Sequence, residues 1–412
     1  MIIWDAVTYV PVKIFNTPHE FGVDSLDISD DGQYISTLSV KENPLDSTMV
    51  NQEIAIWAWT RTETEAILRQ QITSNEKHHS IKFNPSDNYQ IVTTCNKSVC
   101  YWYWDEFQLE SYVGYALKSD IGTYSGNFET SIFLPSTENA ITATKDGYVV
   151  VWETNNPNDS SAKKCIKVAT KVLRLVECSI NILMTTSNKY IVAACSDGAV
   201  RFYDYYLRLE AWFEDLNAGS LTSLSFSEQP NPYPYGEAGA PGLKFWVPDF
   251  IVGTTDAFIV GVESSMFDEV RKEDRRGTLL MQGMTDEVIA VATHPSQTLV
   301  AIICGNGVLQ LWNYEMKLLM VLRDFNGTDI EGTKTSKAQG HGRPCCVAFD
   351  ATGGALGVGF ASGVIKLLHT ETLEDVANYT PSTDSIEKMK FSSSGLFFAA
   401  YDATNHVLIF KR

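Results

Sequence analysis

The patterns in this chain that could support chemistry are few and short. Asp27, Ser29, Asp31 and Gly32 have the opening spacing of a calcium-binding loop. Such a loop needs a bidentate carboxylate at its twelfth position, and that position is Leu38. The four residues read instead as a polar turn between the apolar runs GVDSLDIS and QYISTLSV. No histidine pair has zinc-ligand spacing, no Cys-x-x-Cys occurs, and adjacent Cys345 and Cys346 point to opposite faces of a strand. Gly357, Gly359 and Gly363 fall inside a strand pair, whereas a dinucleotide fingerprint lies between a strand and a helix. Glu331-Gly-Thr-Lys-Thr lacks the Gly-Lys-Ser/Thr of a phosphate loop, and there is no Gly-x-Ser-x-Gly elbow. The histidines are scattered apart from His78-His79, so no acid, base and nucleophile come together in the sequence. The expectation is a protein without catalytic residues, metal or cofactor, whose surface features are set by its scaffold.

Composition narrows the partners. With 50 acidic and 32 basic residues the chain carries a formal charge of -18, which repels phosphate backbones and anionic lipid. Nucleic acid and membrane are therefore not expected. The densest basic cluster, Arg271, Lys272, Arg275 and Arg276, is interrupted by Glu273 and Asp274 and reads as a solvated mixed-charge segment. Cys95, Cys195 and Cys304 sit inside apolar runs as small hydrophobes. Met1-Ile-Ile-Trp-Asp lacks the basic start and long apolar stretch of a secretory signal, so a reducing, cytoplasmic compartment is the default.

The elements that must position everything else repeat. The segment Tyr190 to Phe213, YIVAACSDGAVRFYDYYLRLEAWF, holds three short runs separated by turns. Its Asp197-Gly198 turn tolerates the positive φ of a tight hairpin. The same order of strand, turn, strand, turn and strand recurs eight times, with a period of about 50 residues, as expected for propeller blades with insertions. One such sheet cannot bury both faces alone, and side-by-side stacking buries them. The fold expected is all-β: a propeller of seven or eight blades, each a four-stranded antiparallel sheet, over residues 17–412. The eighth copy stops after its third strand. Residues 1–16 read as a strand pair that either closes this last blade through Tyr9 to Asn16 or belongs to a preceding propeller.

Insertions break the repeat at Lys41 to Gln52, Gly114 to Asn127 and Asp324 to Arg343, which would open on one face, and at Glu228 to Asp249, which would open on the other. The last of these is rich in Pro and Gly and carries Tyr233, Tyr235, Phe245 and Trp246. Aromatics on an ordered loop suit partner binding; the same loop could equally cover the base of its own blade. These four residues are the candidate partner-binding site.

Third strands ending in Trp4-Asp5, Trp104-Asp105, Trp152-Glu153, Tyr203-Asp204 and Trp312-Asn313, the Asp-Gly turns, and Gly340-His341 ahead of a first strand resemble WD40 repeats over nearly the whole chain. Most blades lack the Gly-His of that family. Its buried His, Ser/Thr, Asp, Trp hydrogen-bond relay should therefore be incomplete, with Asp146 and Asp197 as candidates for the Asp. Within the superfamily, IIWDAVTYVPVKIF, GVDSLDISDDGQYISTLS and IAIWAWT are similar to the cilia- and flagella-associated WD-repeat proteins. The nearest likeness is to the member found in the calmodulin- and spoke-associated complex at the radial spoke base. That resemblance implies tandem propellers and a non-catalytic scaffold of the axoneme, with spoke-base proteins, calmodulin and doublet microtubule components as partners. The alternatives are a microtubule-associated tandem propeller that binds tubulin directly, a WD40 scaffold of a non-ciliary complex, and a ligand-binding or enzymatic propeller.

Overall fold

The computed structural model describes residues 1–16, 18–40, 50–62, 64–105, 107–116, 127–154, 166–186, 189–214, 216, 219–227, 245–264, 277–325 and 342–411. Two compact units divide the chain, one of Met1–Thr254 with Val260–Thr278 and one of Thr255–Ile259 with Leu279–Arg412. The described residues are all-β and contain no helix long and apolar enough to cross a membrane. The fold is of the WD40-type β-propeller class, built from blade-like antiparallel sheets.

A pair of strands comes first, β1 (Ile2–Trp4) and β2 (Pro11–Ile14), hydrogen-bonded to each other. Blade 1 is β3 (Val23–Ile28), β4 (Tyr34–Ser39), β5 (Val50–Ala58) and β6 (Leu68–Ser74). Blade 2 is β7 (His78–Asn84), β8 (Asp87–Cys95), β9 (Val99–Trp104) and β10 (Leu109–Val113). After β11 (Tyr115–Ala116), blade 3 is β12 (Phe128–Phe133), β13 (Ala140–Thr144), β14 (Tyr148–Thr154) and β15 (Lys167–Arg174). Blade 4 is β16 (Ile180–Thr185), β17 (Ile191–Cys195), β18 (Val200–Tyr203) and β19 (Leu209–Phe213). Blade 5 is β20 (Leu221–Phe226), β21 (Phe250–Thr254), β22 (Phe258–Val262) and β23 (Thr278–Gln282). Blade 6 is β24 (Val288–Thr293), β25 (Leu299–Cys304), β26 (Val308–Asn313) and β27 (Leu318–Asp324). Blade 7 is β28 (Pro344–Phe349), β29 (Ala355–Phe360), β30 (Ile365–His369) and β31 (Asp375–Tyr379). Blade 8 is the three-stranded sheet β32 (Ile386–Phe391), β33 (Phe397–Asp402) and β34 (Val407–Lys411).

The repeat is written into the register. In all eight blades among the described residues the first strand skips a residue against the second immediately after its first pair, as at Val23/Ser25, His78/Ser80 and Phe128/Thr130. A bulge at this point raises the local twist, so each blade is bent at the same place. Blade 3 departs from the pattern. Tyr115 and Ala116, inside the insertion expected at Gly114 to Asn127, pair in parallel with Val168 and Ala169 as a fifth strand. Gly114 permits this crossing, because a Cβ there would lie 2.9 Å from Trp152 Cζ3. Expected insertion residues 50–52 likewise belong to β5, with Val50 opposite Ser74.

Hydrophobic clusters join successive blades. Leu38, Ile54 and Ile56 of blade 1 pack with Ile81, Ile91 and Trp102 of blade 2. Tyr101 and Val92 of blade 2 pack with Val150 and Trp152 of blade 3, while Val149 and Val151, on the opposite face of β14, pack with Ile180, Ile191 and Tyr203 of blade 4. Alternation along one strand thus feeds two cores. In the second unit Phe360 and Leu368 pack with Leu309 and Leu311, and Ile365 and Leu367 pack with Ile386 and Phe398. There Asp375 accepts from Arg323 at 2.5 Å and from Lys366 at 3.0 Å. Burial alone would raise its pKa, but the two cations hold it below the usual carboxylate range.

The same logic places the N-terminal pair. Trp102 and Trp152 are covered by the blade before their own, and Trp57 of blade 1 is covered by Phe15, with Met1 and Ile3 alongside. The Phe15 and Trp57 rings are 4.9 Å apart. Lys13 Nζ donates to Arg61 O at 2.7 Å, and the Met1 amino group donates to Phe15 O at 2.9 Å. Phe15, just past the end of β2, is 2% exposed and Ile14 beside it 50%. Phe15→Ala should lower unfolding free energy by about 3–5 kcal/mol, whereas Ile14→Ala should change it by no more than about 0.5 kcal/mol. Urea unfolding of both variants checks this difference.

Candidate functional site: buried relays and exposed apolar surfaces

A threonine on the second strand and a tryptophan on the third form the recurring polar contact of the first unit. Trp57 Nε1 donates to Thr37 Oγ1 at 2.9 Å, Trp102 Nε1 to Thr93 Oγ1 at 2.7 Å, and Trp152 Nε1 to Thr142 Oγ1 at 2.9 Å. In each case the tryptophan lies two residues beyond the threonine's cross-strand partner, Ala55, Cys100 or Val150. That diagonal is set by register alone.

The third member varies. In blade 1 His19 Nε2 lies 2.8 Å from Thr37 Oγ1, and its Nδ1 lies 2.6 Å from Glu53 Oε2. In blade 2 His78 Nδ1 lies 2.9 Å from Thr93 Oγ1. In blade 3 Ser131 Oγ takes that place, 2.8 Å from Thr142 Oγ1, and accepts at 2.8 Å from Thr94 of blade 2. The relay is therefore more complete than the missing Gly-His dipeptides implied, because His19 and His78 reach it from other local sequences. Asp146 is exposed, and Asp197 pairs with Arg201 at 2.6 Å. In blade 1 it is Glu53 that occupies the acidic position.

Burial lowers the His19 pKa from its ordinary 6.5, and the hydrogen bond and charge of Glu53 only partly oppose this. The neutral ring fits the geometry: Nδ1–H donates to Glu53, while Nε2 accepts from Thr37, whose oxygen accepts from Trp57. Glu53 also receives Arg69 NH1 at 2.8 Å, and the Arg69 guanidinium lies 5.0 Å from the Trp57 ring. A polar cavity of about 350 Å³ opens here, lined by His19, Glu20, Asn51, Gln52, Glu53 and Arg69. A smaller cavity of about 190 Å³ lies among Asp27, Asp30, Lys82, Phe133 and Met184. The calcium-like residues are spent on structure: Asp27 holds Lys82 at 2.9 Å and Phe83 N–H at 2.8 Å, and Ser29 donates to Asp31 at 2.6 Å. Neither cavity is lined by a serine, threonine or cysteine paired with a base. Elsewhere Cys95 of β8 and Cys100 of β9 are both buried free thiols on adjacent strands of blade 2.

Of the candidate partner-binding aromatics, Tyr233 and Tyr235 lie outside the described residues, as do the basic cluster at 271–276 and Gly340-His341. Phe245 is half-buried, 5.1 Å from Tyr190 and 5.3 Å from Phe202, within a group of rings that includes Phe213, Phe226 and Phe250. Trp246 is also half-buried. A further exposed apolar surface lies on the N-terminal pair. Ile2, Trp4, Val12 and Ile14 are each about half exposed, Val10 is 56% exposed and Tyr9 80%. Its signal is a strand pair too short to bury two faces yet apolar on both.

A protein-family model described as the CFAP251 N-terminal domain matches residues 1–267. The chain belongs to the CFAP251 family. The family match spans the N-terminal pair and the first five blades as far as β22. Among curated relatives, "Cilia- and flagella-associated protein 251" of Chlamydomonas reinhardtii is 30% identical over 429 residues, covering 100% of this chain and 50% of the relative. The protein of the same name from Tetrahymena thermophila is 30% identical over 441 residues, covering 100% and 42%. Human "Echinoderm microtubule-associated protein-like 4" is 23% identical over 418 residues, covering 99% and 36%. The chain thus spans half or less of the length of these relatives.

The His19 relay in this CFAP251-family chain gives a pH signature. Because the folded pKa lies below 6.5, the unfolded state binds more protons in the interval between the two values, and stability rises with pH there. The stabilisation is present in full above 6.5 and is lost as pH falls through the unfolded value toward the folded one. Replacing the ring by His19→Gln should flatten the dependence of unfolding free energy on pH just below 6.5 relative to the parent chain. Denaturation at closely spaced pH values measures both slopes.

Proposed function

We propose that this chain is a non-catalytic interaction scaffold of the ciliary or flagellar axoneme, acting at the base of a radial spoke. Its partners on this reading are other spoke-base proteins, calmodulin and components of the doublet microtubule. The observation that carries the proposal is the family match together with an alignment, over the whole of this chain and half or less of each relative, to proteins named for cilia and flagella. Two physical features support it. Polar groups in the relays are tied to one another and make structure, and the first unit carries an exposed apolar patch on β1 and β2. Contiguous exposed apolar surface of this kind marks sites of protein association.

A second reading is direct tubulin binding, favoured by the 99% coverage in the alignment with the echinoderm microtubule-associated protein-like relative. A charge of -18 opposes it, since tubulin's surface is itself acidic.

Capture from demembranated axonemes with this chain as bait, followed by mass spectrometry, tests the first reading. Spoke-base proteins and calmodulin should be recovered. Capture should weaken by roughly tenfold or more with the exposed-face variant Trp4→Ser/Ile14→Ser, as expected when anchors of an interface are removed, while its unfolding midpoint stays near that of the parent. Recovery of no spoke or doublet component would refute the axonemal role. Salt-sensitive pelleting with bare microtubules would favour the second reading.

A further inference from the structure

Blade 4 breaks the polar pattern of the three blades before it. The position of Thr37, Thr93 and Thr142 is Ala193, opposite Arg201, and the position of the tryptophan is Tyr203. No threonine closes the contact, and the Tyr203 hydroxyl is buried with no hydrogen-bond partner in a residue only 3% exposed. At the turn end of the same sheet face, polar groups gather. Cys178 lies just ahead of β16, Cys195 ends β17, and Asp197 is in the β17–β18 turn. One ligand atom from each lies within 4.8 Å of the others. Arg201 reaches Asp197 with NH1 at 3.2 Å and NH2 at 2.6 Å.

We infer that Cys178, Cys195 and Asp197 form a zinc site, with Arg201 offsetting part of its charge. Two sulfurs and one carboxylate oxygen suit a borderline-soft ion better than calcium or magnesium, which take oxygen ligands. Tetrahedral zinc, with bonds of about 2.0–2.3 Å, sets its ligand atoms about 3.3–3.8 Å apart. Side-chain adjustments of about 1 Å would therefore close the cluster. With both thiols ionised, the ligand set exceeds the Arg201 charge by two, the charge that a divalent cation neutralises. Asp197 is exposed and Cys178 half-buried, which gives an ion a route in, while Cys195 is buried at the back. The Tyr203 hydroxyl is on the same sheet face, buried and without a partner of its own. On this inference its proton is available to a water in the fourth position. The inference does not depend on the ciliary reading.

The test uses the purified reduced chain and zinc alone, titrated against a chromophoric chelator, with cobalt substitution as a spectroscopic check. About one zinc per chain should be retained, and cobalt should give thiolate-to-metal absorption. Cys178→Ser should weaken binding by roughly 100-fold or more, and Asp197→Asn by at least roughly tenfold. Both positions retain some solvent exposure, so circular dichroism should show both variants folded. Cys100→Ser, in the separate Cys95–Cys100 pair of blade 2, should bind as the parent does. Absence of stoichiometric binding by the folded parent would overturn the inference, as would loss of zinc with Cys100→Ser rather than Cys178→Ser.

Discussion

A short antiparallel sheet with apolar residues on both faces is stable only when something covers each face, and this requirement governs the structure. Strand β14 makes it concrete. Val150 and Trp152 need blade 2, Val149 and Val151 need blade 4, and neither set can be satisfied within blade 3. Burial of one aliphatic or aromatic side chain contributes about 1.5–3 kcal/mol, so several such residues per interface outweigh any single polar contact. The blade is a repeating unit because its stability is held in common with its neighbours.

The remaining features follow from that shared burial. Trp57 has no earlier blade within the first unit to cover it, and Phe15 of the N-terminal pair does so. Covering Trp57 uses one side of the pair and leaves Ile2, Trp4, Val12 and Ile14 toward solvent. An indole N–H between packed sheets must also find an acceptor, since an unpaired buried donor costs about 1–3 kcal/mol. Thr37, Thr93 and Thr142 supply it at one register position. Where that threonine is replaced by Ala193, the blade holds a tyrosine, two thiols, a carboxylate and an arginine instead.

Much of the architecture is legible in the sequence because its signals are local. Alternating runs such as YVVVWE and turns such as Asp146-Gly147 and Asp197-Gly198 mark strands within a few residues of where they lie. What escapes the sequence depends on register and on contacts between distant segments. The β11 strand is two residues inside a segment with no strand-like alternation, and it exists because Gly114 lets the chain cross Trp152. His19 joins a relay without its family dipeptide, since only the fold brings it to Thr37. Asp197 looked like a relay acid from its turn, yet its partner is Arg201, four residues on and across the hairpin. Phe245, on a loop that the sequence leaves open between partner binding and covering its own blade, is half-buried and packs on Phe202 of the preceding blade. Composition identifies aromatic surface but not which ring finds a neighbour.

Regular blades thus carry the fold, and departures from the repeat are where recognition is proposed to reside. Hydrogen–deuterium exchange of the chain, free and bound to demembranated axonemes, tests this division most directly. The account predicts slow exchange in both states for inner strands such as β8, β13, β17 and β29, with β1 and β2 exchanging fast when free and protected on binding. Unchanged exchange in β1 and β2 on binding, with new protection confined to the turns of regular blades, would contradict it.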